Sequence, residues 1–110
     1  MTVRVRLAAV ADLPVGRGVL VQAEGHRIAL FRIDDSVYAI GDRCSHAEAS
    51  LAEGELWDHS VECPRHGSEF DVRTGLPGTL PATRPVAVYD LEIVDGEVFT
   101  TVEPVIEEEQ

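Results

Sequence analysis

The chain has 110 residues, 45% hydrophobic and 26% charged, with 20 acidic side chains against 9 basic ones and a formal net charge of −11. This length suits one domain, and the apolar fraction can offset the chain entropy that folding removes. So acidic a chain repels phosphate backbones and anionic lipid, which argues against nucleic-acid and membrane-surface partners.

The N-terminal stretch Val3-Arg4-Val5-Arg6-Leu7 alternates strictly, predicting a strand with Val3, Val5 and Leu7 on one face and the arginines on the other. Val19 to Ala23 and Arg27 to Ile33 flank Glu24-Gly25-His26, the pattern of a hairpin with a glycine-containing turn. Asp34-Asp35 then turns the chain into Val37 to Ile40. A short turn is predicted within Ala47 to Ala52. Val86 to Val94 and Glu97 to Val102, joined at Asp95-Gly96, form a second hairpin. No window carries a capped helical stripe, and no apolar run approaches the ~20 residues of a membrane span. Met1 to Arg6 lacks an apolar signal-peptide centre, so a cytoplasmic location is expected.

Many short strands with Gly, Pro and Asp punctuation predict an all-β antiparallel sandwich or small barrel. The stretch 41–83 is denser in turns and reads as a small inserted subdomain, too short for a core of its own. Residues 1–40 and 84–103 then form the basal sandwich of a single 1–103 domain, and 104–110 an acidic, frayed tail.

Two segments concentrate metal-binding side chains: Cys44-Ser45-His46 and Cys63-Pro64-Arg65-His66-Gly67. Each supplies one thiolate and one imidazole, and the pair offers two of each around one point. Such S₂N₂ donors suit zinc or an iron–sulfur centre. Zinc sites usually pair cysteine with cysteine and histidine with histidine, whereas here each loop is mixed. In a two-iron cluster one iron can take both thiolates and the other both imidazoles. His26 and His59 belong to neither pair and read as surface turn residues, while Trp57, Tyr38 and Tyr89 read as packing residues.

Cys-x-His, sixteen intervening residues and Cys-x-x-His resembles the signature of Rieske [2Fe–2S] proteins. Gly54-Glu55-Leu56, Glu62-Cys63-Pro64, His66 to Asp71 and Thr74-Gly75 are similar to the small Rieske-type ferredoxins of bacterial ring-hydroxylating dioxygenase systems. The resemblance implies a [2Fe–2S] cluster with Cys44 and Cys63 on the buried iron and His46 and His66 on the outer one. It places Ser68 as a hydroxyl donor to the cluster and Pro81 in a covering loop. It also implies a fold, a Rieske-like β-sandwich with 41–83 as the cluster-binding part.

The same resemblance implies an electron carrier, not a catalyst: a flavin-dependent reductase would be the donor and a terminal non-haem iron oxygenase the acceptor. Ring hydroxylation itself would need a mononuclear iron site, for which only His26 and His59 are left over. A Rieske subunit of nitrite reductase, or a redox protein of iron–sulfur assembly, is the alternative within electron transfer. A redox sensor or a zinc-bound interaction domain is the alternative of another class. Seven acidic residues between Cys44 and Asp71 face only Arg65, a balance that would steer the carrier toward basic partners. Arg65 itself is a candidate for stabilising the reduced cluster or guiding docking, or is simply a solvated loop residue.

Respiratory Rieske proteins brace their two loops with a disulfide, but Ala49 and Arg65 occupy those positions here. Phe70 stands where those proteins place a tyrosine hydroxyl against a cluster sulfur. Fewer donors leave the reduced, more negative cluster less stabilised. The expected reduction potential is therefore nearer the lower end of the family range of about −150 to +300 mV. A redox titration checks this, and a strongly positive value would contradict it.

Overall fold

The computed structural model describes residues 1–43, 49–65, 67–78 and 85–105. Nine strands are present among them: β1 (Val3–Ala9), β2 (Gly18–Ala23), β3 (His26–Ile33), β4 (Ser36–Gly41), β5 (Leu56–Trp57), β6 (Ser60–Glu62), β7 (Glu69–Asp71), β8 (Leu91–Val94) and β9 (Glu97–Val102). They form three antiparallel three-stranded sheets, ordered β1-β9-β8, β2-β3-β4 and β5-β6-β7. Among the described residues helix is confined to two short 3-10 turns, Val10–Asp12 and Leu51–Glu53. The all-β expectation holds, and no helix among the described residues is long and apolar enough to cross a membrane.

β3 organises the packing. Its residues Ile28, Ala29, Leu30 and Phe31 are all fully buried, so both faces of the strand meet apolar neighbours. Because side chains alternate across a strand, Ile28 and Leu30 join a cluster with Leu7, Leu13, Ala39 and Val98. Ala29 and Phe31 point the other way, into a cluster with Ile40, Leu51, Val61, Cys63, Phe70 and Val72. The first cluster joins β3 to the sheet of β1 and β9; the second joins it to the β5-β6-β7 sheet. Burying each large side chain contributes roughly 1.5–3 kcal/mol, which makes this shared strand the main tie between the three sheets.

The turns follow from sequence chemistry. Asp95 and Gly96 both have positive φ (52° and 77°), as a two-residue hairpin with the twist of its strands requires. Glu24 and Gly25 do the same between β2 and β3 (50° and 81°), so the turn has two residues. His26 is therefore not a surface turn residue: it opens β3, half-buried. Its Nδ1 lies 2.9 Å from the Tyr89 hydroxyl and its Nε2 2.7 Å from the Glu103 carbonyl oxygen. Close by, the Val105 amide donates to the Glu24 carbonyl at 2.7 Å.

The stretch Val86 to Val94 is not one strand. Its first half runs along the edge of β4, where the Gly41 amide donates to Ala87 O (2.8 Å) and the Tyr89 amide to Ala39 O (3.0 Å). Only Leu91–Val94 pairs with β9. The alternating apolar pattern is real, but it is shared between two sheets, with Asp90 at the crossing; the Asp90 carbonyl accepts the buried Thr100 hydroxyl at 2.8 Å.

Trp57 also departs from expectation. It ends the two-residue strand β5 opposite Ser60 and is 59% exposed, so it is not a core residue. Tyr38 and Tyr89 do pack, one against each cluster.

Replacing Phe31 with alanine should lower the unfolding free energy by about 3–5 kcal/mol, read as a reduced urea midpoint. An unchanged midpoint would remove β3 from this central position.

Candidate metal centre

The second Cys/His segment grows out of the β6–β7 hairpin. Glu62 and Glu69 form the last strand pair, and residues 63–68 close the loop between them. The Cys63 amide donates to the Ser68 carbonyl at 2.7 Å and the Gly67 amide to the Cys63 carbonyl at 2.9 Å. Pro64 fixes its own φ inside this turn. Gly67 adopts φ +74°, a conformation that glycine takes at no steric cost.

This turn sorts its residues by depth. Cys63 and Ser68 are fully buried at the base, whereas Pro64, Arg65 and Gly67 are exposed at the rim. The Cys63 side chain belongs to the apolar cluster that holds Phe31, Val61 and Phe70. A thiolate placed there without a cation would be costly, and coordination to a metal removes that cost. The donor chemistry of this position thus fits a thiophilic metal centre. Phe70, fully buried in the middle of β7, contributes packing and no hydrogen-bond donor.

The first segment leaves the frame at the end of β4. Arg43 and Ser50 form an isolated antiparallel bridge, and the Leu51 amide donates to the Asp42 carbonyl at 2.6 Å. Ala49 packs against the same cluster that contains Cys63, so the stems of both segments meet one core. Asp42 is buried (1% exposed); its Oδ1 accepts the Ser50 hydroxyl at 2.7 Å and the Ala52 amide at 2.9 Å. Arg27 Nη2 donates to its Oδ2 at 3.3 Å. The sequence reading did not single out Asp42; an acidic residue two positions before a presumed ligand, with a serine at 50, was the available signal.

A third segment is tied to both. Pro77 bridges Phe70, and the Gly78 amide donates to the Glu69 carbonyl at 2.7 Å, directly after the Cys63 turn. The chain is next described at Pro85, and Ala87 accepts the Gly41 amide just before the first segment. Of the residues expected at the centre, Cys63, Arg65, Ser68 and Phe70 have described places. Cys44, His46, His66 and Pro81 lie outside the described residues. Among the described residues no three Cys, His, Asp or Glu side chains gather into a metal site.

Glu53, Glu55 and Glu62 line a concave surface of about 430 Å³ together with Cys63, Pro64 and Gly67, which gives the turn an acidic flank. His59 sits in the β5–β6 turn, as expected, with its ring edge-on to Tyr38 at 5.8 Å. At the end of β7, Asp71 accepts the Arg73 amide at 2.7 Å and the Arg73 guanidinium at 2.9 Å. The guanidinium hydrogen bond holds the Asp71 carboxyl below the usual carboxylate range, against an opposing effect of burial.

A family model described as Rieske [2Fe–2S] domain matches residues 3–90. The anthranilate 1,2-dioxygenase ferredoxin subunit of Burkholderia cepacia is 51% identical over 75 residues, covering 68% of this chain and 69% of the relative. Among solved structures, the ferredoxin of carbazole 1,9a-dioxygenase from Nocardioides aromaticivorans IC177 superposes with a TM-score of 0.86 at 39% identity. That match covers 88% of this chain and 95% of the other. A chain from a complex of reduced oxygenase and oxidized ferredoxin in carbazole 1,9a-dioxygenase gives a TM-score of 0.85 at 37% identity, over 94% and 97% of the two chains.

Because the folded Asp71 carboxyl titrates below its unfolded value, its stabilisation is complete above about pH 4 and is lost as pH falls through the folded value. Asp71→Asn should therefore lower the urea midpoint at pH 7, with the difference from wild type shrinking at pH 3. A difference that grows in acid would contradict the assignment.

Proposed function

The chain belongs to the Rieske [2Fe–2S] domain family, and on that premise we propose that it carries single electrons on a cluster held by Cys44, His46, Cys63 and His66. When bound, the cluster supplies a centre that accepts and releases one electron at a time. The observation that carries this reading is the depth profile of the Cys63 turn, with the thiol sealed in the core and Pro64, Arg65 and Gly67 at the surface.

In this reading Cys44 and Cys63 would hold one iron of the cluster, and His46 and His66 the other. Neutral imidazoles in place of two thiolates make the cluster less negative and easier to reduce. The buried Ser68 is assigned as the hydroxyl donor to the cluster, and Pro81 to the loop that covers it. Arg65 adds a positive charge at an otherwise acidic rim. Residues 41–83 form the cluster-binding part, and 1–40 with 84–103 its base.

Relatives that are ferredoxin subunits of dioxygenases, and a neighbour solved with its oxygenase, support an electron-transfer component and not a catalyst. The acceptor assigned here is a terminal oxygenase, and the donor a flavin-dependent reductase, all in the cytoplasm. The Glu53, Glu55 and Glu62 flank suits a basic docking face on such partners, giving fast encounter and ready release.

Reduced protein should show an electron paramagnetic resonance signal with the low average g value of histidine-ligated iron. Cys63→Ser and His66→Ala should abolish the red-brown visible absorption. Stoichiometric zinc in colourless protein would overturn the reading in favour of an interaction domain.

A further inference from the structure

We propose that Asp42 is a positioning residue for the first ligand pair: its buried carboxylate clamps together the two stems of the loop that carries Cys44 and His46. The proposal rests on the cluster reading above and adds to it a group outside the four ligands.

A carboxylate in this place needs a reason. Its side chain is 0% exposed, and an ionised group so deep is tolerated only when fully hydrogen-bonded. Asp42, on the incoming stem, meets that condition with donors from the outgoing stem and from the central strand. Ser50 and Ala52, on the outgoing stem, donate to Oδ1 at 2.7 and 2.9 Å. Arg27, on the neighbouring strand β3, donates to Oδ2 at 3.3 Å. The Asp42 backbone repeats the pattern, its amide donating to Arg27 O (3.0 Å) and its carbonyl accepting Leu51 N (2.6 Å). One residue thus fastens the incoming stem, the outgoing stem and the central strand.

The loop between these stems is short, six residues from 44 to 49 inside the Arg43–Ser50 bridge. No covalent tie is available to it, because the chain has two cysteines and both are assigned to the cluster. Backbone pairing alone would close the bridge but leave its stems free to shear. A carboxylate that accepts from 50 and 52 while bound to 27 opposes that shear in the stems from which the first ligand pair departs. Hydrogen-bonded groups that hold metal ligands in place typically change metal retention about ten- to a hundred-fold when removed.

The test times the bleaching of visible absorption by an iron chelator in cluster-loaded protein, with urea midpoints measured alongside. Ser50→Ala and Asp42→Asn should lose the cluster about ten- to a hundred-fold faster than wild type. Ser50→Thr, which keeps the hydroxyl, should restore the slow rate. Val98→Ala, in the other core, should lower the urea midpoint without this acceleration. Equal bleaching of Ser50→Ala, Asp42→Asn and Val98→Ala would overturn the proposal and leave Asp42 as a contributor to stability alone. Should Asp42→Asn fail to accumulate, the Ser50→Ala and Ser50→Thr pair decides the matter by itself. Wild-type protein that takes up no iron and sulfide would instead overturn the cluster reading, a result visible before any variant is compared.

Discussion

A strand whose four central residues meet no solvent on either face is the constraint from which the remaining structure follows. β3 buries four consecutive side chains, two toward each of two apolar clusters. Its neighbours β2 and β4 satisfy its backbone on both edges, so the strand is paired along its length and covered above and below. The sheet of β1, β9 and β8 can then close over one face, and the β5-β6-β7 sheet over the other. The second of these sheets is too small to bury its own apolar residues. Val61, Cys63, Phe70 and Val72 are buried only because Ala29, Phe31 and Ile40 meet them. The Cys63 turn therefore owes its depth to a strand more than thirty positions earlier.

At the buried thiol, amide and carbonyl of the same residue are both hydrogen-bonded. Two backbone hydrogen bonds close the turn from 63 to 68 on a three-residue strand pair, leaving little backbone freedom at the buried thiol. Exposed cross-strand pairs such as Arg6–Glu97 (2.7 Å) sit on the far sheet and contribute at most about 1 kcal/mol each. The buried Cys63 and the buried Asp42 carboxylate both lie at the stems of the ligand segments.

What was legible in the sequence was mostly local. Asp95-Gly96 identifies its hairpin because its two residues can take positive φ together, and Cys-x-His with Cys-x-x-His reports chemistry through spacing alone. Alternation in Val3 to Leu7 gave the correct buried face for β1. Non-local choices were not legible. Nothing in Val86 to Val94 tells which residues will meet β4 and which β9, since that depends on where two sheet edges lie. Trp57 looks like core by type, but β5 ends before the core does. Asp42 looks like any surface acid until folding brings Ser50 and Ala52 against it, and His26 looks like a turn residue until its two ring nitrogens find Tyr89 and Glu103.

That last contact reaches beyond the histidine. The imidazole, together with the Val105–Glu24 hydrogen bond, stitches residues 103–105 to the turn at which β3 begins. Arg27 and Asp42, at the foot of the first ligand segment, border the same surface as Gly25, His26 and Tyr89. Residues 103–105 are thereby held against the turn from which the central strand departs. Trimming the chain back to Val102 would unpick the seam that starts the central strand.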